Sequence, residues 1–165
     1  MITFLNHMRS KSLSLLCLGL IVSGCENRPP PALSMSKVEW ATYSNEQVGY
    51  TVQYPAAFTL HNRNNGRDLL LSHDGFPVVT INYTTRQEAG SRDLWADHEP
   101  VGNIELADKS GEKYIYNHFD GPFYMRTFSY VIEYKDRFLA LEFRTKDDSV
   151  DSLQQHILHS FSLAQ

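Results

Sequence analysis

The chain has 165 residues, of which 42% are hydrophobic and 12% are aromatic, enough for one domain with its own core. Its 15 Lys and Arg stand against 19 Asp and Glu, so it lacks the excess of basic charge typical of nucleic-acid-binding proteins, and no nucleic-acid partner is expected. Both cysteines, Cys17 and Cys25, lie near the N-terminus. The rest of the chain therefore has no disulfide, no catalytic thiol and no thiolate metal ligand.

The first 24 residues have the order of parts that an export signal needs. Arg9 and Lys11 give a positive start, and no acidic residue occurs before Glu26. Residues 13–22 form an apolar segment of ten residues, which is too short to span a bilayer because a spanning helix needs about 20 apolar residues. A short apolar segment between basic and small residues is typical of a signal peptide, predicted here over residues 1–24.

This segment ends in Val22, Ser23, Gly24 and Cys25. An aliphatic residue, two small residues and a Cys resemble the lipobox of bacterial lipoproteins. The resemblance implies that Cys25 carries lipid on its sulfur, that the chain is cut before it, and that the new amine is acylated. The alternative is an ordinary secretory signal in which the cysteine is coincidental.

Residues 25–37 are predicted to be a lipidated tether, since the three prolines at 29–31 favour the extended polyproline II conformation. The leader holds two of the basic residues, so the remaining 141 residues carry 13 basic against 19 acidic side chains, a formal charge of −6. This charge argues against binding of anionic headgroups by charge alone, and the lipid is the expected contact with the membrane. In enteric-type lipoproteins an Asp directly after the Cys marks inner-membrane retention. Glu26 therefore favours the outer membrane, facing the periplasm.

From residue 38 onward, alternating apolar residues between turn signals predict successive β-strands. The predicted turns are at residues 64–66, 74–75, 120–122 and 135–136, where Asn, Asp, Gly, Pro or Lys occur. The predicted apolar strand residues are Val48, Tyr50, Val52 and Tyr54; Phe58 and Leu60; Leu69, Leu70 and Leu71; Val79, Ile81 and Tyr83; Ile104 and Leu106; Tyr114, Ile115 and Tyr116; Tyr124, Phe128, Tyr130, Ile132 and Tyr134; and Leu139, Leu141 and Phe143.

Two segments lack this alternation and are predicted as helices. Residues 91–96 would form a short helix with Ser91 as its N-cap, and residues 148–159 a C-terminal helix capped by Asp148 or Ser149. Gln154 lies off the apolar stripe of the second helix, so Gln154→Asp is expected to be nearly silent. The stripe consists of Val150, Leu153, Ile157 and Phe161.

Successive hairpins followed by a helix predict an α+β domain over residues 38–165. We expect a single antiparallel β-sheet with the C-terminal helix packed on one face.

Two stretches of this domain resemble a known family. Residues 48–55, VGYTVQYP, followed by Phe58, resemble the opening strand of PsbP-like domains, where a Gly-aromatic run ends in Tyr-Pro. Residues 157–163, ILHSFSL, resemble the end of those domains, a helix that runs into Ser-Phe. The resemblance implies an antiparallel sheet with helices packed on it, in a family whose members are mostly noncatalytic.

Histidine is the residue type most able to supply a hidden site. His156 and His159 would be neighbours on a helix, where a third ligand could complete a zinc or copper site. Two ligands without a third are a weak metal signal, so a solvated helix face is favoured. We expect the other domain histidines at the surface or at strand ends: His61, His73, His98 and His118.

The sequence therefore assigns no catalytic, cofactor-binding or metal-ligating residue and no cofactor, and its one predicted modification site is Cys25. The expected function is a noncatalytic lipoprotein that binds or scaffolds another envelope component, with an envelope protein as its partner. The alternative is a lipoprotein that binds a small ligand or metal, or an enzyme that uses His and carboxylates. A ligand site would gather such side chains in a pocket, whereas a scaffold would show a flat aromatic patch.

Overall fold

The structure is a computed structural model that describes residues 35–120 and 123–164, with backbone only at residues 118–120 and 123. The predicted leader, Cys25 and most of the predicted tether lie outside the described residues, as do two residues of the turn predicted at 120–122. In the ranges that are described, neither α-helix has the length and apolar composition needed to cross a membrane.

The described residues form ten β-strands and two α-helices. Single-turn 3-10 helices lie at Met35–Lys37, Asn64–Gly66 and Trp95–Asp97. The helices are α1, Arg86–Ser91, and α2, Ser152–Ser160. The strands are β1, Trp40–Asn45; β2, Tyr50–Pro55; β3, Thr59–Arg63; β4, Asp68–His73; β5, Phe76–Thr84; β6, Gly102–Leu106; β7, Lys109–Asp120; β8, Phe123–Tyr134; β9, Arg137–Thr145; and β10, Ser162–Leu163.

These strands form two antiparallel sheets. The larger has seven strands in the order β3-β4-β5-β9-β8-β7-β6, and the smaller has three in the order β1-β2-β10. The predicted α+β class is confirmed, but the prediction of one sheet is wrong. Alternation along a strand indicates which residues face a core, not which strands pair. Pro55 ends β2, and a tight turn in which the Phe58 N–H donates to the Pro55 carbonyl at 2.9 Å redirects the chain away from β2.

The main core lies between one face of the larger sheet and the smaller sheet together with α2. The predicted alternation of β5, β8 and β9 is confirmed except at Tyr124, because the other alternate apolar residues pack in this core, whereas Tyr124 near the start of β8 is 53% exposed. The principal core residues are Tyr50, Val52, Leu69, Leu71, Val79, Ile81, Phe128, Tyr130, Ile132, Leu139, Leu141, Phe143, Leu153, Ile157 and Phe161.

The opposite face of the larger sheet, called here the outer face, is covered at its centre by α1 and the segment that follows it. Trp95 is fully buried there, with its ring 5.5 Å from that of Tyr114 and 5.1 Å from that of Phe138. Ala89 and Ala140 belong to the same second cluster. The central strand β9 is therefore buried on both faces.

The loop between β1 and β2 is fastened to the end of the larger sheet. Gly49 has φ +94°, and a Cβ at this position would lie 2.9 Å from the Tyr134 hydroxyl. That hydroxyl donates to the Gly49 carbonyl at 3.2 Å, and Lys135 Nζ donates to the Val48 carbonyl at 2.7 Å. The glycine is thus required both by its left-handed backbone and by the closeness of the two sheets.

The predicted start of α1 is wrong. The Thr85 hydroxyl accepts the Glu88 N–H at 3.2 Å, and the Glu88 carboxylate accepts the Thr85 N–H at 2.9 Å. This reciprocal capping box fixes the first turn of the helix. Ser91, the predicted N-cap, is instead the last residue of α1, and the helix has ended before most of the predicted range 91–96 begins.

The predicted start of α2 is also wrong, because a capping box again fixes the first turn of the helix. Asp151 and Gln154 form a second capping box, with bonds of 2.7 and 3.1 Å, so Asp148 and Ser149 precede the helix. Gln154 is also buried and donates from Nε2 to the Arg144 carbonyl at 3.3 Å. The premise that Gln154 faces solvent is therefore wrong, and its exposed neighbour Gln155 is the better control.

We predict that Leu153→Asp lowers the free energy of unfolding by about 3 kcal/mol or more, because it buries an unpaired charge in the main core. The matched control is Gln155→Asp, which places the same charge at an exposed position two residues further along α2. Urea denaturation of the two variants and the wild type measures the difference. Equal losses for both variants would contradict the assignment of the buried helix face.

Candidate functional site

The outer face of the larger sheet carries buried polar side chains beside the second apolar cluster. Glu142 lies between Leu141 and Phe143, which face the main core, so the alternation of the strand turns the Glu142 carboxylate to the outer face. The residue is only 1% exposed. Asn82 of β5 and Ser129 of β8 are buried on the two flanking strands.

Three neighbouring side chains satisfy the Glu142 carboxylate. The Tyr116 hydroxyl donates to Oε1 at 3.0 Å, Asn82 Nδ2 donates to Oε2 at 3.0 Å, and the Ser129 hydroxyl lies 3.5 Å from Oε1. Burial raises the pKa of Glu142, while the Tyr116 hydrogen bond and the positive charges of Arg144 and Arg92 oppose the rise. Burial likewise raises the pKa of Tyr116, with the nearby Glu142 charge adding to it.

A line of polar contacts leads from this carboxylate to the protein surface. Asn82 Oδ1 accepts from Arg92 Nη2 at 3.2 Å, and the same Nη2 lies 2.9 Å from Asp68 Oδ2. The Asn64 side-chain amide donates to the same Asp68 oxygen. The Asp68 side chain is 5% exposed, and these donors offset the cost of burying its charge.

The line of contacts ends at an open cleft of about 410 Å³. The cleft lies between the 3-10 turn at Asn64–Gly66, the start of β4, the end of β5, and α1 with the residue that follows it. We call it the arginine cleft. It is lined by Asn64, Asn65, Arg67, Asp68, Tyr83, Thr84, Glu88 and Arg92.

Glu88 is a fixed negative charge at one wall of the arginine cleft. Its Oε2 accepts from the Thr85 N–H at 2.9 Å, from Arg137 Nη1 at 2.7 Å and from the Thr84 hydroxyl at 3.2 Å. The Thr85 backbone hydrogen bond, with the Arg137 charge also contributing, lowers the pKa of Glu88 to about 2. Glu88 therefore stays ionised at neutral pH and holds arginines in place.

Neither Glu142 nor Glu88 is placed as a general acid or base would be. A general acid or base must reach the substrate and titrate near the working pH. Glu142 is sealed from solvent, and the pKa of Glu88 lies far below neutral. The guanidinium groups that line the cleft are permanent hydrogen-bond donors.

The two histidines of the predicted helix pair both lie on α2 but have different surroundings. His156 Nε2 lies 3.0 Å from Gln53 Oε1, and its ring packs at a tilt against Trp40 with centroids 3.9 Å apart. His159 is exposed in the last turn of α2. Across residues 35–120 and 123–164, no three His, Cys, Asp or Glu side chains are grouped as a metal site would require.

Three further histidines are described with their side chains, and each makes its own contact with a residue that is not a histidine. His61 Nε2 contacts the Ser72 hydroxyl at 3.2 Å, and His73 stacks on Phe58 with ring centroids 5.3 Å apart. His98 lies flat on the Tyr116 ring, at 4.4 Å between centroids, and so covers the phenol that holds Glu142. The side chain of His118 lies outside the described residues.

Sequence reasoning missed the charged residues of the site, including Arg67, Asp68, Glu88 and Arg92, and it located the asparagines at 64 and 65 only as part of a turn. Each is unremarkable alone, and their contacts join distant segments. One signal was available: Glu142 interrupts an otherwise apolar run at residues 138–143. A carboxylate inside a strand that is buried on both faces requires dedicated donors.

The seven-stranded antiparallel sheet, with a small sheet and a C-terminal helix on one face, is a PsbP-like fold. The solution structure of cyanobacterial PsbP (CyanoP) from Synechocystis sp. PCC 6803 matches with a TM-score of 0.52 and 14% sequence identity, covering 81% of this chain and 98% of that one. The PsbP-like fold predicted from residues 48–55 and 157–163 is therefore confirmed. At this identity the likeness shows the fold alone.

A crystal structure of a protein from Bacteroides thetaiotaomicron VPI-5482 matches with a TM-score of 0.54 and 7% identity, covering 75% of this chain. The chain spans about half, 48%, of the length of that protein. No protein-family model and no curated protein sequence matches the chain.

We predict that Glu142→Gln changes the pH dependence of stability. Because the pKa of Glu142 is raised above 4.5 in the folded state, the folded protein keeps a proton that the unfolded chain releases above that pH. The free energy of unfolding of the wild type therefore falls as the pH rises from 4.5 through the pKa that Glu142 has in the folded protein. Over this pH range the free energy of unfolding of Glu142→Gln, relative to that of the wild type, should rise by up to about 1.4 kcal/mol per pH unit.

Urea denaturation between pH 4 and 8 measures this shift, with Glu133→Gln as the control because Glu133 is exposed on β8. Parallel pH profiles for the wild type and Glu142→Gln would show that burial does not perturb this carboxyl.

Proposed function

We propose that the protein is a lipid-anchored component of the bacterial envelope whose domain binds another envelope component without catalysing a reaction. The observation that carries the proposal is the sequence Val-Ser-Gly-Cys at residues 22–25, behind a basic and apolar leader. Processing at this motif would make Cys25 the first residue of the mature protein and its point of lipid attachment.

The proposed lipid is sufficient for stable attachment. Each buried methylene contributes about 0.8 kcal/mol, and one acyl chain alone holds a protein only marginally. A diacylglyceryl thioether on Cys25 together with an N-acyl chain would supply three chains. Glu26, in place of an Asp, favours the outer membrane over the inner membrane.

Three acidic side chains, two at the arginine cleft and one behind it, support a binding role. Those at the arginine cleft are held in ion pairs, Asp68 with Arg92 and Glu88 with Arg137. Glu142 is enclosed by hydrogen-bond donors. Such side chains position their partners and do not exchange protons with a bound molecule.

A second candidate function is binding of a small ligand, and the arginine cleft favours it. Pockets that hold small molecules are typically 300–1,000 Å³, with a few polar groups that fix orientation. The cleft has about 410 Å³ and a polar lining. Its lining in the described structure contains no histidine, so it favours ligand binding over a His-based metal site or enzyme.

We predict that Cys25→Ser abolishes lipidation and leaves the precursor uncut. Detergent fractionation and mass analysis of the N-terminal peptide measure both effects. Cys17→Ser is the matched control, since Cys17 lies inside the predicted leader and its loss should leave processing and lipid mass unchanged. A wild-type mature protein that starts elsewhere and carries no lipid would overturn the anchor.

We predict that crosslinking and affinity capture from intact membranes, with the native anchor present, recovers one envelope protein in stoichiometric amount. That result would support the scaffolding role. Recovery of no protein, together with a small molecule that co-purifies with the full chain and is identified by mass spectrometry, would favour the second candidate instead.

A further inference from the structure

We propose that the arginine cleft binds a small anion with a carboxylate or phosphate group, through the guanidinium groups of Arg67 and Arg92. The proposal gives a ligand class to the second candidate function and rests on it. It is independent of the lipid anchor, so the experiments on Cys25 and on this cleft succeed or fail separately.

Asp68 is already held in an ion pair by the protein itself. Arg92 Nη2 lies 2.9 Å from its Oδ2, and the Asn64 amide donates to the same oxygen. Its side chain is 5% exposed. A cationic ligand would have to displace Arg92, which would also break the bond from Arg92 to Asn82 at 3.2 Å.

Glu88 is also held by donors of the protein. Its Oε2 takes three donors, from Thr84, the Thr85 backbone and Arg137. Its Oε1 faces Arg67 Nη1 at 3.7 Å. Both carboxylates of the cleft are therefore held by groups of the protein itself, which disfavours a cation as the ligand.

Arg67 and Arg92 keep N–H donors that these contacts do not use. A guanidinium has five N–H groups. Among the described residues, the ion-pair contact of Arg67 is the single one to Glu88 at 3.7 Å, which is long for a hydrogen bond. Both side-chain contacts that Arg92 makes within the cleft and its wall use Nη2. The Arg67 and Arg92 side chains are 41% and 38% exposed, so a ligand can reach them.

These donors favour an anion with a carboxylate or phosphate group. The planar fork of a guanidinium matches two oxygens of a carboxylate or phosphate, which a single point charge does not. The exposed Asn64 and Asn65 line the same cleft and add amide groups at its rim. Because the part of the chain after the leader has a formal charge of −6, its overall field does not attract anions. Binding of an anion would therefore depend on the arrangement of donors in the cleft and not on the overall charge of the domain.

The same oxyanion chemistry occurs in free metabolites and in lipid headgroups near the proposed anchor. Inorganic phosphate and succinate serve as the free probes. Phosphatidylglycerol added to the detergent micelles serves as the headgroup source, with phosphatidylcholine as its control. If phosphatidylglycerol competes with free phosphate, a headgroup is the ligand source, and if it does not, the free anion is.

The experiment is isothermal titration calorimetry of the full-length protein in nonionic detergent at constant ionic strength. We expect saturable binding of phosphate or succinate that Arg67→Gln weakens about tenfold or more, because a charge-assisted hydrogen bond is lost. Arg67→Lys keeps the charge without the fork and should recover only part of the affinity. The control is Arg63→Gln, which removes an exposed arginine at the end of β3 that does not line the cleft.

Thermal denaturation of each variant checks that the fold is intact, as expected for so exposed a side chain. Absence of saturable binding of both free anions to the folded wild type would overturn the proposal. Equal weakening by Arg67→Gln and Arg63→Gln would overturn it too, since that result indicates a general charge effect. Full recovery by Arg67→Lys would overturn the role of the guanidinium fork.

Discussion

The burial of the Glu142 carboxylate is the constraint on which the outer half of this structure depends. The residue occupies the middle of β9, a strand covered on both faces. A carboxylate in that position is tolerated only where donors surround it and where water is kept out. Asn82 and Tyr116 supply donors from β5 and β7. The segment after β5 supplies the cover, with the Trp95 ring packed on the sheet and His98 flat against Tyr116.

The position of the arginine cleft follows from this polar interior. Asn82 donates to Glu142 and so presents its carbonyl oxygen in the other direction, where Arg92 donates to it. Arg92 brings a positive charge beside the buried start of β4, where it pairs with Asp68. The polar network therefore ends at the surface in the guanidinium groups of Arg67 and Arg92, which are paired with Glu88 and Asp68. A fold shared with PsbP does not determine what such a surface binds, because function depends on the side chains that a particular chain places there.

The sequence predicted most of the strands, but it missed β1 and β10 and did not show how the strands assemble. Alternation located the core faces of β5, β8 and β9, since burial on one side of a strand has a period of two. It did not show that β2 pairs with β1 and β10, because pairing depends on where Pro55 and Gly49 turn the chain. The helix starts at Thr85 and Asp151 follow a local rule, Thr or Asp with Glu or Gln three residues later, that the apolar stripe alone does not reveal. The arginine cleft could not be predicted from the sequence, because Asp68 and Arg92 come together only when β4 and β5 pair.

The way in which the chain enters its fold bears on how an anchored domain would be held. The first strand after the predicted tether, β1, pairs along its whole length with β2, and β10 pairs with the other edge of β2. Trp40, the first residue of β1, also packs on His156 of α2. A pull transmitted from a lipid at Cys25 would therefore act along a hydrogen-bonded strand that is tied to the C-terminal helix. Because Leu153 and Ile157 of that helix are buried in the main core, the load would reach the core directly.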